Sequence, residues 1–276
     1  MSLIINSNIA SVTAQRHLNN SRAEMDQAME RLSSGKRINS AMDDAAGLTI
    51  AHSLDAKVTS LNQAARNAND GVSLINLAEG ALDQVSAMLT RMRELAVQAI
   101  NGTYSQTDRT NMNSEFSALA TEITRISDNT KFNGTSVIGA AATLTFQVGH
   151  TSSDTITLTT QDMGAGAIGS TADFLSAQTV SAVSDAQDAL GVIDLAIEDV
   201  DSYRADLGAT ANRLEHSAAN LMTRVENQMA ARSRIEDADY AVEAANLARA
   251  QVLQQAGTAM LSQANASTQT VLSLLK

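Results

Sequence analysis

Ile50-Ala-His-Ser-Leu54-Asp-Ala-Lys-Val58-Thr-Ser-Leu61-Asn-Gln-Ala-Ala65-Arg-Asn-Ala68-Asn-Asp-Gly-Val72-Ser-Leu-Ile75 sets apolar side chains at 50, 54, 58, 61, 65, 68, 72 and 75, in steps of three and four. Steps of that size return to one face of a helix, whereas a half-buried strand would repeat in twos. Leu82, Val85, Leu89, Met92, Ala96 and Ala99 take up the seam again beyond Glu79. The spacing therefore predicts one helix over 43–100, about 85 Å long at 1.5 Å per residue. Ser40 and Asp43 have the spacing of a capping box, and Asp43 and Asp44 lie near the positive end of the helix dipole. Asn101-Gly102 marks the other end.

Outward from this rod, a second seam at Met112, Phe116, Leu119, Ile123 and Ile126 follows a short polar turn. It predicts a helix folded back antiparallel to the first and ended by Asn133-Gly134. Residues 135–180 change period: Thr143-Leu-Thr-Phe-Gln-Val148 and Thr155-Ile-Thr-Leu-Thr159 alternate polar and apolar around Gly149, Ser152 and Ser153, as a β-hairpin does. The rest of that segment, rich in Gly, Ala, Ser and Thr, is expected to be a surface excursion rather than a second core. Helical spacing returns at Leu190, Ile193, Ile197, Val200, Leu207, Ala211, Leu214, Ala218, Leu221 and Val225, with a polar gap at Arg204. This is the partner for the first rod. The fold class expected is mainly α: long antiparallel rods packed as a coiled-coil bundle, with a small β-hairpin region.

The outermost seams are thinner: Ile5, Ile9 and Val12, then Met25, Met29 and Leu32 at one end; Leu253, Ala256, Met260 and Ala264 at the other, followed by Leu272 and Leu275. Their polar faces carry Asn, Gln, Ser and Thr more than charge. Neither would bury much alone, and helices of that kind are marginal in water. Two unsatisfied terminal seams joined by a rod suggest completion by further copies of the chain.

Composition narrows the function. Proline and cysteine are absent and aromatics make up 3%, so the packing must be of long helices through small aliphatic side chains, and disulfides, thiolate metal sites and cysteine nucleophiles are excluded. A formal charge of -11 and a pI near 4.7 argue against nucleic acid or an anionic membrane surface as partner. No run of about 20 uncharged apolar residues is present to span a bilayer, and residues 1–20 lack the order of a cleavable signal peptide. The histidines at 17, 52, 150 and 216 lie far apart, without zinc-helix spacing. Acids are expected on outward faces, away from any cleft that would split a pair of pKa values. Gly164-Ala-Gly-Ala-Ile-Gly169 fits G-x-G-x-x-G, but it follows polar Thr-Thr-Gln-Asp and lacks a βαβ context. Neither a catalytic residue nor a cofactor or metal site is expected.

Arg31-Leu-Ser-Ser-Gly-Lys-Arg-Ile-Asn-Ser-Ala-Met-Asp-Asp-Ala-Ala-Gly47 resembles the amino-terminal signature of bacterial flagellins. Ala231-Arg-Ser-Arg-Ile-Glu-Asp-Ala-Asp-Tyr240, Arg249-Ala-Gln-Val-Leu-Gln-Gln-Ala-Gly257 and the final Val271-Leu-Ser-Leu-Leu-Lys276 resemble the carboxy-terminal counterpart. The resemblance covers roughly 1–138 and 185–276, in the family's order, and implies a short type without large outer domains. It implies that 1–42 plus 235–276 form an inner polymerisation domain, with the terminal helices paired as an inner coiled coil, and that 43–234 form an outer rod domain containing the hairpin region 135–180. On that reading Ile5, Ile9, Val12, Leu253, Ala256, Met260, Leu272 and Leu275 belong to the polymerisation helices. Arg232, Arg234, Glu236, Asp237 and Asp239 form the joint between shells, against the plain reading of a solvated charge run. Further implications are a homopolymer used for swimming, flagellar cap and junction proteins as partners, and type III export without a cleavable signal peptide to an extracellular flagellum. A cytoplasmic export chaperone would bind the carboxy-terminal segment. Arg91, Leu95 and Glu115 match positions recognised by the flagellin-sensing Toll-like receptor of animal hosts; the plain reading is a pair of solvated charges beside a seam leucine. Serines and threonines of 151–160 and 170–179 are candidates for O-linked sugars, or simply for β-propensity and solubility. The nearest alternative function is a related axial component such as a hook-filament junction protein. A coiled-coil signalling rod is the alternative of another class.

Overall fold

The structure, a computed structural model, describes residues 7–169 and 173–274, with side chains as far as Ala266. Five helices account for most of it: α1 Ile9–Ser34, α2 Ala45–Ile100, α3 Gln106–Asn129, α4 Val183–Glu236 and α5 Tyr240–Leu274. Between α3 and α4 run four strands, β1 Lys131–Phe132, β2 Thr135–Ser136, β3 Gly139–Gln147 and β4 Thr155–Asp162, and a 3-10 turn Leu175–Ala177. The chain divides into two compact units. A central unit is Thr59–Val225, and a terminal unit combines Met1–Val58 with Glu226–Lys276.

In the central unit the expected seams meet. Leu61, Ala68, Leu82, Leu89 and Met92 of α2 are buried with Phe116 and Ile123 of α3 and Ile193, Leu207 and Leu214 of α4. The ladder runs on through Ala78, so the α2 seam has no break at Glu79. Arg109 donates to the Ala99 carbonyl at 2.9 Å and Arg91 to Glu115 at 2.8 Å, which sets α3 antiparallel to α2. Arg93 to Asp194 at 2.7 Å and Arg204 to Glu79 at 2.6 Å set α4 antiparallel to α2 in turn. The gap expected at Arg204 is not one. Tyr203, one position earlier, is fully buried there, and its hydroxyl donates to the Val137 carbonyl at 3.0 Å.

Helix ends differ from the sequence expectation for local reasons. Ser40 and Asp43 do bond each other, but as a turn that precedes the helix: the Ser40 N–H and Oγ both donate to the Asp43 carboxylate. The cap is Asp44, whose carboxylate accepts from the Gly47 N–H at 2.8 Å. Helix α2 begins accordingly at Ala45. Helix α3 opens with a reciprocal capping box between Ser105 and Asp108 and stops at Asn129. Asn133-Gly134 is therefore not its end. Both residues have positive φ, 49° and 83°, the signature of a type I′ turn, and they join β1 to β2 in a small hairpin.

The larger hairpin has the expected alternation and pairs Leu144 with Leu158, Phe146 with Ile156 and Gln147 with Thr155. Ile156, Leu158 and Thr160 point inward. The stretch after it is not a surface excursion. Met163, Ala165, Ile168, Leu175 and Val180 are all buried in the central core, because five apolar positions spaced through small residues suffice to fold an irregular segment down onto it.

In the terminal unit Ile38, Ala51 and Val58 are buried. Ile50, a seam position by its spacing, is half exposed, and Ala51 occupies the inward place. Charge is distributed unevenly. The central unit has nine basic and nineteen acidic residues, the terminal unit ten and eleven, so nearly the whole excess of acid belongs to the central unit.

Candidate functional site

Helices α1 and α5 pair antiparallel: Asn8 Nδ2 donates to the Ala264 carbonyl at 3.1 Å, and Arg31 meets Glu243 at 3.0 Å. Side chains turned toward this contact are Ser11, Ala14, Leu18, Ser21, Met25, Ala28 and Leu32 on α1, and Ala250, Gln254, Gly257, Leu261 and Ala264 on α5. These also step by threes and fours, but most are small or polar. At Gly257 a β-carbon would lie 3.0 Å from Leu18 Cδ1, so the missing side chain is what lets the helices approach. Only Ala28 and Ala250 of the two helices' apolar residues are buried among the described residues.

Of the larger apolar residues in the terminal seams, Met25 and Leu32 turn into this contact, while Ile9, Val12, Met29, Leu253 and Met260 point elsewhere. Ile9 is 65% exposed, Val12 66% and Met260 63%, with Leu253 and Ala256 exposed as well. On one side of the pair, Leu253, Ala256 and Met260 line a groove of about 700 Å³ with Ala10, His17 and Leu18. Ile5, the Leu272 side chain and Leu275 lie outside the described residues. Each terminal helix thus carries two interleaved seams: one, mostly small or polar with a few larger side chains such as Leu18, Met25 and Leu261, that pairs α1 with α5, and a second of apolar side chains left uncovered.

A network of charge ties the connector after α1 to the end of α4. Gly35 closes α1 in the left-handed conformation, φ 71°. Lys36 then bridges Asp237 in antiparallel fashion, the Ala238 N–H donates to the Gly35 carbonyl at 3.0 Å, and the Arg37 N–H donates to the Glu236 carbonyl at 2.6 Å. Glu236 is buried and pairs with Lys36, while Arg232 lies 3.9 Å from it and also pairs with Asp55 of α2. Asp239 caps α5 by accepting from the Ala241 N–H at 2.9 Å. Arg234 and the Asp237 side chain are exposed.

Of the five charged residues singled out in 232–239, then, Arg232 and Glu236 come together, Asp239 has a capping role, and Arg234 and Asp237 face solvent. Glu236 and Glu243 correct the expectation that acids all lie outward, since each is buried against a cation. Sequence reasoning missed Lys36, Arg37 and Asp55 as members of this network, and missed the separate Arg31–Glu243 pair between α1 and α5. The signal was available in part: Arg31, Lys36 and Arg37 fall within one short basic run that needs acid partners.

In the central unit Arg91 bridges Glu115 on α3 and Glu94 on its own helix, at 2.8 and 2.9 Å. Hydrogen bonding to Glu115 first, then Glu94, holds its guanidinium more firmly charged than usual. The pair is nearly half exposed, so its contribution to stability is small. Leu95, by contrast, is 2% exposed and belongs to the core.

Among the described residues no three His, Cys, Asp or Glu side chains gather as a metal site, and no helix is long and apolar enough to cross a membrane. Gly164–Gly169 folds as a turn with Ala165 and Ile168 buried, not as a strand leading into a helix.

Residues 5–143 match the family described as the bacterial flagellin N-terminal helical region, and 190–275 the bacterial flagellin C-terminal helical region. A flagellin of Halalkalibacterium halodurans is 44% identical over 99% of this chain and all of its own length. The flagellar filament 33 kDa core protein of Treponema phagedenis is 39% identical, again over 99% of this chain and all of its own. Among solved structures, Bacillus cereus flagellin superposes with a TM-score of 0.50 at 31% identity, covering 60% of this chain and 94% of that one.

Proposed function

Because this chain belongs to the bacterial flagellin family, we infer that it is a structural subunit of the flagellar filament, the extracellular polymer of identical copies by which bacteria swim. One observation supports the mechanism of assembly we propose. The terminal helices pair mostly through small or polar residues and leave Ile9, Val12, Leu253 and Met260 uncovered, apolar surface that has no partner in a monomer and is available for contact in a polymer. Burying such side chains contributes about 1.5–3 kcal/mol each. The near balance of charge in the terminal unit, ten basic against eleven acidic residues, removes the self-repulsion that would oppose packing many copies together.

On this reading residues 1–42 plus 235–276 are the polymerisation domain and 43–234 the outer rod domain. Arg232, Arg234, Glu236, Asp237 and Asp239 form the joint between them, with Arg234 and Asp237 free to pair across subunits. The chain leaves the cell by type III export without a cleavable signal peptide, an export chaperone holding its carboxy-terminal segment, and assembles with cap and junction proteins. Arg91 and Glu115 are the contact offered to the flagellin-sensing Toll-like receptor, with Leu95 holding the helix from behind. The full-length match to flagellins favours the bulk subunit over a junction component.

Electron microscopy before and after adding short flagellar seeds tests the polymer reading. Long filaments are expected from the intact chain, and none from a chain lacking 241–276, which should stay soluble and largely helical by circular dichroism. Filaments from the truncated chain, or none from the intact one, would refute it.

A further inference from the structure

Asparagine precedes glycine twice in the chain, at Asn101-Gly102 and Asn133-Gly134, and the fold sets the two pairs in opposite circumstances. A following glycine leaves the peptide nitrogen open to the asparagine amide, because no β-carbon shields it. Whether the two groups meet depends on the backbone. Asn133 has φ 49°, in the left-handed region where ψ is near +47°. That rotation turns its β-carbon away from the following nitrogen and keeps the amide carbon out of reach. Asn101, whose φ is negative, lies just past the carboxy end of α2. Its Oδ1 accepts from the Thr103 N–H at 3.2 Å, which folds the side chain back over the Gly102 peptide and draws Cγ toward the Gly102 nitrogen. The main chain is pinned in that shape, since the Asn101 carbonyl accepts from the Tyr104 N–H at 3.3 Å and from Arg109 Nη2 at 3.2 Å. The Gly102 N–H has no acceptor among the described residues, and residues 101–103 are exposed. The nucleophile is therefore open to solvent base, and the oxygen of the electrophile already has a donor.

We propose that Asn101 is a site of spontaneous deamidation, the folded turn directing the reaction to it and away from Asn133. Solvent base removes the Gly102 amide proton, the nitrogen bonds to Asn101 Cγ, and the oxyanion forming on Oδ1 is met by the Thr103 N–H. Collapse breaks the Cγ–Nδ2 bond. Nδ2 leaves as ammonia with a proton from solvent, and a succinimide remains. Water then opens the ring at either carbonyl: at Cγ it gives aspartate on an ordinary backbone, at the main-chain carbonyl it gives isoaspartate with the chain routed through Cγ. In sum, an amide and a water become a carboxylate and ammonium, with no change of oxidation state. Either product places negative charge at the negative end of the α2 dipole. Isoaspartate also displaces the carbonyl that holds Tyr104 and Arg109, so modification loosens the turn between α2 and α3.

The test holds the soluble, full-length chain in mildly alkaline buffer, folded in one sample and unfolded by concentrated urea in another. Mass spectrometry of the digested samples follows both Asn-Gly peptides, and an enzymatic assay reports isoaspartate. In the folded chain the Asn101 peptide should convert several-fold faster than the Asn133 peptide. In urea, where both turns are lost, the two rates should come together. Gly102→Ala adds a β-carbon that meets nothing within 4 Å, so melting should be unchanged while conversion at Asn101 slows several-fold. Equal rates in the folded chain, a faster Asn133, a difference that persists undiminished in urea, or conversion at Asn101 that Gly102→Ala leaves unaltered overturns the proposal.

Discussion

Tyr203 concentrates in one side chain several demands of the central core. Its ring fills the layer between Val200 and Leu207, and its hydroxyl satisfies the Val137 carbonyl beneath the hairpin. Burial pushes the phenol up to about 12, partly offset by hydrogen bonding to the Gln161 backbone. A pKa raised on folding means that stability is intact below the ordinary value of 10 and is lost as pH climbs from there toward 12. The loss is about 1.4 kcal/mol for each pH unit crossed in that window. Tyr203→Phe should destabilise at neutral pH by about 1–3 kcal/mol, through the stranded carbonyl. It should also flatten part of the alkaline decline, which thermal unfolding at pH 8 and pH 11 would show. Two glycines make a contrast at the same scale. A β-carbon at Gly139 would lie 2.5 Å from the Ser127 carbonyl oxygen, whereas one at Gly80, inside α2, meets nothing within 4 Å. Gly139→Ala should cost about 1–3 kcal/mol by overpacking, and Gly80→Ala should stabilise by up to about 1 kcal/mol through helix propensity. Urea midpoints of the two variants should move in opposite directions.

At the scale of elements, α3 depends on its amino-terminal cap. Ser105→Ala should remove about 1 kcal/mol and lower the melting temperature by a few degrees. Asp108 is held below the usual carboxylate range by the Ser105 hydroxyl and then its backbone N–H, and Asp43 likewise by the backbone N–H groups of Ser40 and Asn39. Lowered values stabilise above the ordinary pKa of 3.8, and that stabilisation disappears as pH falls through the folded values. Acid melts of the Ser105→Ala chain should accordingly fall less steeply than wild type. How much of these elements is legible in the sequence follows from what fixes them. Sustained steps of three and four determine α2, α3 and α4, and alternation determines β3 and β4, because long periodic burial leaves one solution. Asn133-Gly134 misleads because the same dipeptide ends helices and turns hairpins, and only the two-residue strands on either side decide. The α1–α5 contact is hard to read because the large apolar residues draw attention from the small ones beside them. Lys36, Asp55 and Glu243 are hidden for another reason: their pairings join positions far apart in sequence, with no periodicity to announce them.

Across the whole molecule, the concentration of acid in the central unit makes packing of copies sensitive to ionic strength. Raising salt from about 0.01 M to 0.15 M shortens the screening length from about 30 Å to 8 Å, so growth from seeds should accelerate over that range. Light scattering would follow it, and a rate independent of salt would show that the central units do not repel one another during assembly. Asn8 bonds the carbonyl of Ala264, 256 positions later. A ribosome adding about 5–20 residues per second needs tens of seconds to cover that distance. Until it has done so, half of the paired surface does not exist. Synthesis thereby acts as a clock: an unfinished chain, however crowded by its fellows, lacks the means to join them.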